Sequence, residues 1–209
     1  MNNLYPMKTN DSKNEQPSPI DPHWIRYTNI PLPAYAHIPS VTPHPLNDPR
    51  GHSYGTLPNN AELITEDSWQ TNQIYLYGFD LYNFSYWWEA HETWEGIWQS
   101  SEKKAPLGRF LQGLIQLSTV FLKRHQRRIK GVRSLSMKTI RNLDYVNRNI
   151  DTAVYLGVDI LALLGEFKAC IAAFLEDAPS GDPFKDPKPQ PLIKLRLDPY
   201  MINLKQRSL

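Results

Sequence analysis

His91 and Glu95 lie four residues apart in FSYWWEAHETWEGIWQ, residues 84–99, which holds four of the six tryptophans. On a helix, residues at this spacing stand one turn apart on the same face. An imidazole and a carboxylate so placed can ligate a divalent cation, work as an acid–base pair tuned by burial, or bond to each other as a structural clasp. At about 100° per residue with Trp87 at zero, Trp98, Trp94, Ala90 and Ile97 span about 280° to 20°, which predicts a buried stripe. His91 near 40° and Glu95 near 80° fall on its margin, whereas Glu92 near 140° and Glu89 near 200° fall on the solvent side. The string His91-Glu92-Thr93-Trp94-Glu95 approaches the H-E-x-x-H zinc motif but has glutamate for the second histidine. The Glu-x-x-His element of di-iron bundles fails too, because position 88 is Trp88. A metal site therefore needs further donors. The segment before the helices carries His23, His37, His44 and His52, and the turn-rich HPLNDPRGHS puts His44 and His52 forward as contributors. The alternative is that these are solvent-exposed loop histidines.

The elements that must position these residues are separated by proline. Eleven of the 18 prolines lie in residues 1–60 and only Pro106 falls between 61 and 178. Proline lacks an N–H and restricts its predecessor, so the first 60 residues are an arm and not a helical or sheet core. The reading is a polar, disordered N-terminus over 1–22, a proline-rich arm over 23–70 that wraps the core, a helical domain over 71–176 and an irregular tail over 177–209. Helices are expected over Asn72–Tyr82, over Ser85–Ser101 with Ser85 as N-cap, and from Pro106 to about Ile129. Gly131 is expected to break the pattern before a helix over Ser134–Tyr155, and a last, mostly apolar helix covers Ile160–Phe174. LIKLRL, 192–197, is expected to pair as a short strand or to lie extended. The fold class is all-α, a compact antiparallel bundle of four to five helices.

Composition narrows the function. The 209 residues carry 23 Lys and Arg against 21 Asp and Glu, a net charge of +2 that disfavours nucleic-acid binding through overall basicity. The single cysteine, Cys170, excludes an internal disulfide and a thiolate zinc cluster. With no export pattern and no apolar run of spanning length, a cytoplasmic protein without a membrane segment is expected.

The combination of His91, Glu95 and Trp98 (His-x-x-x-Glu-x-x-Trp) with Tyr-Trp-Trp-Glu-Ala before it and Gln-Gly-Leu-Ile-Gln at 112–116 after it resembles the domain-of-unknown-function 309 family. The resemblance spans about residues 77–165 and includes Gly157-Val158-Asp159 before the last helix. It departs at 127–133, where this chain reads Arg-Arg-Ile-Lys-Gly-Val-Arg. The resemblance implies a small helical bundle whose His/Glu/Trp motif binds metal, with no reaction or substrate attached. It also implies that Gln112 and Gln116 face that motif, with Gly113 letting the helices approach; periodicity alone makes the two amides a solvated stripe. Glu92, Trp94 and Trp98 complete the expected pocket.

Charge is segregated along the chain. Residues 51–102 hold eight acidic side chains and no Lys or Arg, and residues 103–143 hold eleven basic ones and no Asp or Glu. Two functions follow. The first is a small-ligand pocket, metal-dependent and enzymatic in its fullest form, built on His91 and Glu95. The second is a non-catalytic module that binds a protein or nucleic acid through the 123–133 edge, with Arg124, Arg127, Arg128 and Lys130 contacting phosphates. No aromatic residues interleave with that edge as a single-strand platform requires, so its charges read first as a solvated or paired face.

Overall fold

A computed structural model of the chain describes residues 16–56, 64–177 and 189–198. Five helices, α1 (Gln73–Asn83), α2 (Trp87–Gln99), α3 (Pro106–His125), α4 (Ile129–Asn149) and α5 (Ile160–Asp177), pack consecutively, and one two-residue hairpin, β1 (Val154–Tyr155) with β2 (Val158–Asp159), precedes α5. The chain is an all-α bundle. Among the described residues no helix is long and apolar enough to cross a membrane.

Local chemistry sets the boundaries. The Asn72 side chain accepts the Tyr75 N–H and starts α1, and Pro106 occupies the first turn of α3, where its missing N–H has no partner to lose. Ser85 does not cap α2. It takes a positive φ of 69° just past α1, where the Ser85 N–H bonds to Tyr82 O and the Tyr86 N–H to Leu81 O, the paired bonds of a Schellman turn. Arg127, φ 56°, repeats this after α3, with Arg127 N–H to Arg124 O and Arg128 N–H to Lys123 O. The break thus falls at Arg127 and not at Gly131, which lies inside the first turn of α4. The same helix ends at Asn149 instead of reaching Tyr155: Ile150 is already extended (φ −122°, ψ 146°), and Leu156 and Gly157, at φ 45° and 84°, then reverse the chain in the hairpin.

The apolar stripe of α2 packs largely as its periodicity predicts, with Trp87, Ala90, Trp94 and Ile97 buried and Trp98 half-buried. The non-helical segments are held by buried polar side chains of α1 and α2. Extended backbone cannot satisfy itself, so segments buried on a bundle need side-chain partners. Asp80, fully buried, accepts the Tyr27 N–H (2.6 Å), the Thr28 N–H (2.9 Å) and the Thr28 hydroxyl (2.7 Å). Arg26 Nε lies 3.2 Å from the same carboxylate, near enough to pair in charge but off the line of a hydrogen bond. Asn83 exchanges two 2.9 Å bonds with the backbone of Ile193, and the Tyr27 hydroxyl accepts the Leu195 N–H. Segment 189–198 is accordingly extended, with Ile193 and Leu195 buried and Arg196 N–H bonded to Gly157 O, but it forms no strand. The disorder expected for 1–22 falls largely on residues outside those described, as do 178–188 and 199–209 of the tail.

Candidate functional site

His91 is half-buried on α2, where it meets the following turn of its own helix and α3. Its Nε2 is 3.1 Å from Glu95 Oε2 and 3.9 Å from Glu92 Oε1, and its Nδ1 is 2.9 Å from Thr119 Oγ1 on α3. The Thr119 hydroxyl spends its only hydrogen on Ile115 O at 2.8 Å, so His91 Nδ1 must be the donor in that contact. Donation from Nδ1 fixes the ring and leaves Nε2, facing the carboxylates, as a lone pair or as the second N–H of an imidazolium. Ligand atoms of His91, Glu92 and Glu95 all lie within 4.8 Å of one another. Partial burial, with Glu95 alongside, pushes the Glu92 carboxyl up from its ordinary value against the opposing pull of His91.

Glu92 and Glu95 line a cleft of about 740 Å³ between α2, α1 and the arm, walled by Ile74, Tyr77, Pro33, Leu46 and Trp88. Glu89 lines it too, which corrects its assignment to the solvent side of α2: it is 5% exposed. Glu89 Oε1 accepts the His37 N–H at 2.7 Å and meets His52 Nε2 at 3.1 Å. The wheel of α2 allowed one buried face, whereas the arm supplies a second. Trp88, a large aromatic off the main stripe, was the signal for it.

The remaining expected site residues divide. Trp94 is fully buried between Phe79 and Tyr82, a core residue, whereas Trp98 is half-buried under the Lys103 ammonium, 4.0 Å from its ring. Three of the four arm histidines are turned inward, His37 and His44 edge-on to Trp88 at 4.9 and 5.4 Å and His52 on Glu89, whereas His23 is exposed; the His91 cluster itself is made by α2 alone. Gln112 and Gln116 share a strip of α3 with Thr119, yet both side-chain oxygens accept from Asn142 Nδ2 of α4, at 3.2 and 3.0 Å. Gly113 likewise faces α4, where a Cβ would sit 2.7 Å from Leu143. At the α3–α4 corner Arg128 and Lys130 are exposed, while Arg124 and Arg127 are half-buried and Arg124 reaches Cys170 Sγ at 3.3 Å. Among the described residues the acidic segment pairs with Arg26, His52 and His91.

No curated protein and no solved structure matches the chain. Residues 75–135, from α1 through Thr119 to the start of α4, match the model of the family described as Domain of unknown function (DUF309).

Proposed function

We propose that the protein is a small-ligand pocket protein in which His91, Glu92 and Glu95 hold a divalent cation at the edge of the cleft. The observation that carries this reading is the 3.1 Å separation of His91 Nε2 and Glu95 Oε2. Two cis ligands at about 2.1 Å from one ion stand about 3.0 Å apart, so the pair has the bite of a metal site. Thr119 supports it, because a ligating histidine ordinarily gives its other N–H to a fixed acceptor. Three protein donors leave coordination positions open toward the cleft that Glu92 and Glu95 line. A bound ion would supply Lewis acidity there, polarising an oxygen of whatever occupies the cleft. The competing arrangement is a structural clasp, with His91 paired to Glu95 within α2 and bonded to Thr119 of α3.

The test is metal content of untagged protein by mass spectrometry, with Zn²⁺ and Mn²⁺ titrations of the parent, His91→Ala and Glu95→Gln. Stoichiometric binding lost in both folded variants is the expected result. No binding in the parent, together with a melting temperature that falls in His91→Ala, makes the pair a clasp and ends the metal reading.

A further inference from the structure

We infer that the cleft is a binding site for a small organic cation, a linear amine or guanidine, with Glu89 as its anchor. The charged residues lining the cleft are Glu89, Glu92, Glu95 and His52, with no Lys or Arg among them. Residues 51–102, which supply most of the lining, contain neither residue type, and Arg26 and Arg50, the nearest in sequence to the arm's part of the lining, face Asp80 and Asp48. An anion would meet three carboxylates in a partly desolvated space, where repulsion is strongest.

Glu89 makes the case specific. It is buried, its Oε1 already takes both arm contacts, and Oε2 accepts no hydrogen bond. A buried carboxylate oxygen without a donor is costly, and an ammonium or guanidinium supplies the missing donor together with the opposite charge. The apolar and aromatic walls, Ile74, Leu46, Tyr77 and Trp88, suit the methylene body of such a ligand, and the rings favour a cation. A space of about 740 Å³ fits an organic molecule and far exceeds a bare ion. The inference goes beyond the metal reading and is compatible with it: three carboxylates outweigh one divalent ion by a single charge, and Glu89 lies outside the His91 cluster.

Isothermal titration of the full chain with spermidine and with agmatine, in low salt with and without EDTA, tests it. The expected result is one-site binding of an amine that persists in EDTA and in His91→Ala, while 1,4-butanediol does not bind. Glu89→Gln should weaken it by about tenfold or more, the worth of one charge-assisted hydrogen bond. Because Glu89 also holds the arm, Thr93→Lys is the second variant: it places a resident ammonium in the cleft, leaves the arm contacts intact, and should abolish binding with the melting temperature kept. Absence of binding by the parent at millimolar amine, or parental affinity in folded Thr93→Lys, overturns the site. Retained amine binding in a His91→Ala protein that takes no metal separates its fate from that of the metal reading.

Discussion

Asp80→Asn is the sharpest probe of how the arm is attached. The substitution keeps shape and removes charge. An amide in place of the carboxylate must put its NH₂ at one of the two oxygen positions; at Oδ1 it would face the Tyr27 N–H, donor to donor, at 2.6 Å. The surviving oxygen keeps the two Thr28 bonds, at 2.9 and 2.7 Å, but without the charge that strengthens them and attracts Arg26 at 3.2 Å. Breaking a buried pair costs about 3–5 kcal/mol, and Arg26 is partly exposed, so the low end, about 3 kcal/mol, applies. For a chain of this size that lowers the melting temperature by roughly 6–12 °C. If the loss is local, amide exchange at Tyr27 and Thr28 accelerates by on the order of a hundredfold. Thr28→Val removes only the hydroxyl and should cost about 1–2 kcal/mol, with less than additive loss in the double variant. Calorimetry with hydrogen exchange by mass spectrometry measures both. A melting temperature within about 2 °C of the parent and unchanged exchange at 27–28 would refute the anchoring of the arm by Asp80.

Gly157→Ala should cost about 2–4 kcal/mol in urea unfolding, since φ is 84° and a Cβ would stand 2.4 Å from the Trp69 ring; a loss under about 0.5 kcal/mol would mean the hairpin tolerates a side chain there. Burial pushes the Tyr27 hydroxyl from 10.0 up to about 12. The folded state then holds a proton that the unfolded state releases, so this contribution is intact below pH 10 and is lost as the pH rises to about 12, some 2–3 kcal/mol in all. Alkaline denaturation of Tyr27→Phe should lack that part of the slope, and identical slopes in parent and variant would exclude it.

The helices were readable because their signals are local. The four-residue spacing of His91 and Glu95, the tryptophan stripe and Pro106 all act within a turn or two, so the element count and the core face of α2 follow from periodicity. Boundaries failed where a residue without a glycine-like signature took the left-handed region. Ser85 and Arg127 close Schellman turns that sequence patterns assign to glycine, and each displaced an expected cap or break. The hairpin at 154–159 was missed because β-branched residues there were absorbed into a helical run.

By itself the sequence determined an all-α bundle, the separation of a proline-rich arm from it, and the pairing of His91 with Glu95, since each depends on neighbours within a helical turn or on proline's missing donor. Only the tertiary structure decided what the arm does. Asp80, Asn83 and Glu89 are polar residues whose partners, Tyr27 and Thr28, Ile193, and His37 and His52, lie about 40 to 110 residues away. No local period encodes such pairs. Burying Glu89 against the arm turns the supposed wet side of α2 into a wall of the cleft, so the sequence supplied the chemical groups and the docking of the arm made them a site.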